Sequence, residues 1–189
     1  MTIVAALRRT RARSGRTLAA VAARAGITES NLSTIEHNRR APRSDTIDRL
    51  AAALDVTLVP AATGGRNTAA EAGEHIARAV ASGDTERAYR AALQLADDLG
   101  SAPPYVRLLL AAEAPSAIAP GWDALVAAVT EWRLQQAGLP APDWVLDTID
   151  PDAAAWTPPG AVLAARASRV PPAFLRRGVF VEEDELASA

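Results

Sequence analysis

The sequence predicts a mainly α-helical protein: a small helical domain over residues 1–60, a linker over 61–70, and a larger helical domain over 71–189 with an irregular, proline-rich segment. Three observations predict it. Apolar residues recur at intervals of three and four through most of the first 137 residues, as helices require. Glycines stop the pattern, and Thr, Asp or Pro restart it. Charge divides unevenly: residues 1–60 hold ten arginines against five acids, a net of +5, and residues 61–189 hold ten arginines against seventeen acids, a net of −7. A basic head on an acidic body suggests that the head meets a polyanion.

The elements follow in order. Residues 2–13 gather Ile3, Val4 and Leu7 on one side, and Ser14-Gly15 ends that helix. Thr17 caps a second, Leu18 to Ala25, which Gly26 stops. Thr28 caps a third, running to about His37 with Leu32 and Ile35 inward, and Asn38 suits a left-handed C-cap. A fourth covers 45–54, with Ile47, Leu50, Ala51 and Leu54 at helical spacing. Residues 61–70, AATGGRNTAA, read as the linker because they are small and lack a period. Helices are then expected at about 70–82, 84–99, 104–113 and 122–137, and a short one around 160–167. Gly138 opens the proline-crowded stretch. The end reads as a turn at Arg177-Gly178, an extended Val179 to Val181, and a short acidic helix from Glu182.

Composition excludes several functions. With 49% hydrophobic residues among 189, the chain can bury a core. No cysteine and only two histidines, His37 and His75, leave no metal site to expect. All twenty basic residues are arginine, so lysine chemistry is ruled out. No apolar run reaches about 18 residues and the N-terminus lacks a signal-peptide pattern, so a soluble, cytoplasmic protein without a membrane partner is expected. There is no P-loop, dinucleotide fingerprint or nucleophile elbow, and neither an enzyme nor a cofactor is expected. Asp97-Asp98 point apart on a helix and read as a solvated helix end. Asp143, Asp147, Asp150 and Asp152 lack the glycine-centred loop of a calcium site.

The informative stretch is GITESNLSTIEHNRRAP, residues 26–42. Two short helices joined by a glycine turn, the second capped by Thr28, make a helix-turn-helix. Residues 7–56 resemble the Cro/Xre-type phage-repressor domain. The resemblance rests on Thr17, Ala22, Gly26-Ile27-Thr28, Ile35-Glu36, Arg39-Arg40, Pro42 and the Leu50-Ala51-Ala52-Ala53-Leu54 helix. It implies a lambda-repressor-like bundle of four to five helices, double-stranded DNA as ligand, and a homodimer on paired half-sites about one helical turn apart. A groove-inserted helix needs compact polar side chains outward, and Glu29, Ser30, Ser33 and Thr34 supply them as candidate base contacts. Glu29 is one-sided, accepting only, and suits a cytosine amino group. Arg16, Thr17, Thr28, Asn31, Arg39, Arg40 and Arg43 are the candidate phosphate contacts, which fix register. The resemblance also implies a structural ion pair between Arg11 and Glu36. One departure stands out: Leu18 occupies the position where the family usually carries a phosphate-binding glutamine, leaving Arg16 or Thr17 to replace that contact.

The C-terminal domain carries all four tryptophans, Trp122, Trp132, Trp144 and Trp156, read first as core, with a ligand pocket as the alternative. GWDALVAAVTEWRLQQAGLPAPDWVLD and the FLRRGVFV ending are similar to helix-turn-helix proteins encoded beside AbiEii-type nucleotidyltransferase toxins. That similarity implies an antitoxin-like regulator with a cognate toxin as partner. The acidic residues 182–185 are either a phosphate mimic for such a partner or a solubilising end.

Overall fold

The computed structural model describes residues 3–150, 152–161 and 165–187, and among them the protein forms eleven α-helices and one 3-10 turn. The chain divides into two compact units, Met1–Pro60 and Ala61–Ala189.

The first unit consists of α1 (Ile3–Arg13), α2 (Leu18–Ala25), α3 (Glu29–Glu36) and α4 (Ser44–Ala53). Its core joins Leu7, Val21, Ala22, Ala25, Leu32, Leu50, Ala51 and Leu54, with no aromatic residue in the unit. Alanines on α2 and α4 let these helices approach closely, and α3 is held against α2 and α1. Hydroxyl caps start the two middle helices. Thr17 Oγ1 accepts from Ala20 N at 3.2 Å and Thr28 Oγ1 from Asn31 N at 3.2 Å, caps worth about 1 kcal/mol each. Between them Gly26 adopts φ 65°, so that Ile27 N reaches Ala22 O at 3.0 Å and Gly26 N reaches Ala23 O at 3.2 Å. This left-handed residue reverses the chain and aims α3 away from α2.

The second unit holds α5 (Ala69–Ala81), α6 (Thr85–Gly100), α7 (Pro104–Ala111), α8 (Pro120–Gln136), α9 (Asp143–Leu146), α10 (Pro172–Leu175) and α11 (Glu183–Ala187). Its centre is α8, which is buried from Trp122 to Leu134 on most sides and packs against α5, α6, α7, α9 and α10. Its apolar residues occupy nearly the whole circumference, the pattern of an enclosed helix.

Several expectations need correction. The linker is shorter than 61–70, because a capping box of Thr68 and Glu71 starts α5 at Ala69, and Ala69 and Ala70 are fully buried. Asp98 is no solvated helix end: it is buried and accepts from Asn67 N and Nδ2, both at 2.8 Å, and from Gln94 Nε2 at 3.1 Å. The helix expected around 160–167 falls partly on 162–164, outside the described residues; the neighbouring described residues are non-helical up to a 3-10 turn at Ala167–Arg169. Two short helices, α9 and α10, had no periodic signal because four residues are too few to show one.

All four tryptophans take part in packing within the second unit. Trp122 and Trp132 are buried, Trp156 meets Trp122 edge-on with ring centroids 5.3 Å apart, and Trp144 Nε1 donates to Ala111 O at 3.0 Å. Trp156 also pairs its backbone with the C-terminal segment: Trp156 N donates to Gly178 O at 2.7 Å, and Phe180 N to Trp156 O at 2.8 Å. The two arginines of FLRRGVFV point inward. Arg177 Nη1 donates to the buried Glu131 carboxylate at 2.6 Å and to Ala173 O at 2.7 Å, its Nε donates to Thr148 Oγ1 at 2.9 Å, and Arg176 binds the same carboxylate. Burial pushes the Arg177 pKa down while Glu131 opposes it. The acidic end is not uniformly exposed either, since Glu182 is buried and accepts from Arg166 N at 2.7 Å.

Candidate nucleic-acid interface

The outward side of α3 follows from what its inward side must bury. At roughly 100° per residue, the buried Leu32, Ile35 and Glu36 mark the inner side. Ser30, Thr34 and His37 then lie opposite, with Glu29 and Ser33 along one edge and Asn31 along the other. Accessibility agrees with this geometry: Glu29, Ser30 and His37 are exposed, and Asn31, Ser33 and Thr34 are half-exposed. Thr34 Oγ1 already donates to Ser30 O at 2.8 Å, leaving it only acceptor capacity toward a base. Ser30 and Ser33 keep rotatable hydroxyls that donate or accept.

His37 extends this outward face beyond the residues named from the sequence. It caps α3, with Nδ1 2.7 Å from Ser33 O. That carbonyl only accepts, so Nδ1 donates and Nε2 points the free edge of the ring outward. The signal was available in its i+4 spacing from Ser33 and i+7 spacing from Ser30.

Directly after α3 the chain is locked rather than loose. Asn38 takes φ 56°, Asn38 N donates to Ile35 O at 2.9 Å and Arg39 N to Thr34 O at 3.0 Å. This closure sets the starting direction of Arg39, Arg40 and Arg43. All three are exposed, and none forms an ion pair or side-chain hydrogen bond within the described residues. Arg11, Arg16, Arg24 and Arg49 of the same unit are engaged internally. Arg11 binds Glu36 through two bonds of 2.7 Å, with Glu36 7% and Arg11 17% exposed. Arg11 Nη1 also donates to Arg16 O at 3.1 Å. Hydrogen bonding to Glu36 raises the Arg11 pKa, opposed by burial. This pair anchors the end of α3 to α1.

Arg16 is committed too. It donates to Ala53 O at 2.8 Å and to Asp55 at 2.6 Å, and Arg24 donates to the same carboxylate at 2.9 Å. Arg24, and after it Arg16, holds the Asp55 carboxyl down at about 2. Arg16 thus secures the C-terminal end of α4, and of the two residues available to replace the missing glutamine contact, Thr17 is the exposed one with a hydroxyl proton still unassigned. Thr28 also keeps its hydroxyl proton beside the start of α3.

Comparison with known proteins supports this geometry over one part of the chain. A family described as "Helix-turn-helix domain" matches residues 3–63. No curated protein and no solved structure matches the chain. The match stops before α5 and carries no information about the tryptophan-rich unit or a toxin partner. Among the described residues, no helix is long and apolar enough to cross a membrane, and no group of His, Cys, Asp and Glu is arranged to hold a metal ion. With its capped helix pair, left-handed glycine turn and outward polar helix, the N-terminal unit of this DNA-binding regulator is a helix-turn-helix domain of the Cro/Xre type.

Proposed function

We propose that this protein is an autoregulatory transcriptional repressor that binds an inverted repeat in DNA as a dimer. The single observation carrying this is the exposed polar face of α3 with three unpaired arginines immediately behind it. A groove-reading helix needs compact donors and acceptors outward and cations at its flank. Ser30, Ser33, Thr34 and Glu29 take the base edges, with Glu29 facing a cytosine. Arg39, Arg40, Arg43, Thr17, Thr28 and Asn31 take phosphates. Arg11, Glu36 and Arg16 act through the fold, by holding α3 and α4 in place. Weak chemical selectivity of serine and threonine makes two half-sites necessary, because one helix discriminates poorly.

Self-association has a surface to use. Tyr105, Leu108 and Leu109 form an exposed stripe on α7, and the only charge on that helix, Arg107, is turned inward to Arg133 O at 2.9 Å and Gly100 O at 2.8 Å. On a unit with net charge −7, an uncharged stripe is where a second copy approaches without like-charge repulsion. Contact through three side chains falls below the roughly 800 Å² per partner of a standard interface, so the dimer is weak in solution and forms on DNA.

Gel-shift titration against the DNA upstream of the gene tests the reading. The expected result is a salt-sensitive complex of two protomers on one inverted repeat, which Leu109→Glu reduces to weak single-protomer binding. Absence of any complex at low salt overturns the reading.

A further inference from the structure

A second charged surface lies in the unit that the DNA reading leaves unused. Helices α5 and α6 form a hairpin closed by Gly83, and a cleft of about 490 Å³ runs along it, lined by His75, Arg78, Ala79, Ser82, Arg87 and Ala91. Two of its lining residues, Ala79 and Ala91, carry only a methyl side chain. Its volume lies within the range of about 300–1,000 Å³ typical of small-molecule sites.

Its chemistry is cationic although its unit is acidic. Arg87 makes no side-chain hydrogen bond or ion pair within the described residues, and Arg78 makes only one, from Nε to Glu74 O at 3.2 Å. Acids nearby serve helix ends or other partners. Glu71 holds Thr68 N at 2.8 Å, Asp84 accepts Arg87 N at 3.0 Å, Glu86 pairs with Arg90 at 2.7 Å, and Asp98 holds Asn67. Ser82 donates its hydroxyl to Ala79 O at 2.9 Å. Two guanidinium groups from two helices, with the His75 imidazole beside them, are therefore available to an anion.

We propose that this cleft binds a small molecule through a phosphomonoester group. One guanidinium fork satisfies the two oxygens of a carboxylate, whereas a phosphomonoester offers three terminal oxygens and about −1.5 to −2 charge. Two forks on separate helices match the second. A DNA phosphodiester fits less well, since it carries one charge and the surrounding unit, at net −7, repels a duplex. This inference goes beyond the DNA reading and does not depend on it.

NMR titration of the full chain with ribose 5-phosphate, with ribose and a DNA duplex as parallel arms, tests the site. Expected are saturable shifts at His75, Arg78, Ala79 and Arg87 with ribose 5-phosphate and none with ribose. Arg87→Gln and Arg78→Gln are each expected to weaken binding by roughly ten- to a hundredfold, the loss of one charge-assisted contact, while tryptophan fluorescence and gel shifts stay as in the parent. No saturable shift, or binding unchanged in both variants, overturns the proposal. So does a duplex that moves these amides when ribose 5-phosphate does not, which assigns the cations to DNA.

Discussion

Replacing Arg11 by alanine should loosen the recognition helix without touching any DNA contact. Arg11 meets Glu36 through two bonds of 2.7 Å, and Glu36 is 7% exposed. Removing one partner of a fully buried pair costs about 3–5 kcal/mol, because the other charge is left unpaired. An exposed pair is worth about 0–1 kcal/mol. With Arg11 17% exposed, screening lowers the buried figure to about 2–3 kcal/mol. In a domain of this size that is a fall of about 10–20 °C in the melting temperature of the first unit. The assay follows from composition. The first unit holds no aromatic residue and all four tryptophans lie beyond residue 120. Far-ultraviolet circular dichroism therefore sees both units melt, while tryptophan fluorescence sees only the second. Arg11→Ala should shift the dichroism transition that fluorescence does not share. The double variant Arg11→Met, Glu36→Leu should recover most of the loss, since it removes both charges and keeps the volume. A shift below about 3 °C in Arg11→Ala, equivalent to under about 0.5 kcal/mol, refutes the assignment of this pair as the anchor of α3.

Three further outcomes are expected. Arg39→Ala should weaken binding to all DNA sequences alike and lower the slope of log affinity against log salt by about 0.9, the release of one counterion; fluorescence anisotropy at several salt concentrations measures it. The Asp55 carboxyl should titrate at about 2 in the folded protein, against about 3.9 unfolded. A carboxyl depressed in this way contributes stability above pH 4, lost as the pH falls through about 2. Carbon-detected NMR gives the midpoint, a value near 3.9 contradicts the Arg24 and Arg16 clip, and Asp55→Asn should remove this acid-range dependence. Gly121→Ala places a Cβ 2.7 Å from the Trp156 ring, so it should cost about 1–3 kcal/mol by overpacking, read by urea denaturation with tryptophan fluorescence. A gain of about 1 kcal/mol, the ordinary helical preference for alanine, contradicts the packing.

Much of the first unit was legible because its determinants are local. Thr17, Gly26, Thr28 and Asn38 each act within five residues, so the caps and turns could be read directly, and the inward pair Leu32 and Ile35 follows from spacing alone. Arg16 was harder. Its partners, Ala53 and Asp55, are 37 and 39 residues away, and an arginine near a helix start looks the same whether it meets a phosphate or its own chain. Asp98 misled for a similar reason: adjacency to Asp97 suggested solvent, but its partner, Asn67, sits 31 residues earlier. The proline-rich segment offered least, because Trp156 and Val179 pair across 23 residues that carry no periodic signal. Paired arginines at 176 and 177 resemble a surface patch in sequence and prove to be an internal clamp on Glu131.

The central claim is that the outer face of α3 enters DNA. Amide chemical-shift mapping of the full chain, titrated at low salt with a duplex of its own upstream inverted repeat, tests this most directly. The largest changes should fall on Ser30, Ser33, Thr34 and His37 and on Arg39 and Arg40, with Ser30→Ala, Ser33→Ala erasing the difference between operator and scrambled duplex. Shifts that leave α3 silent and gather elsewhere on the first unit would contradict it.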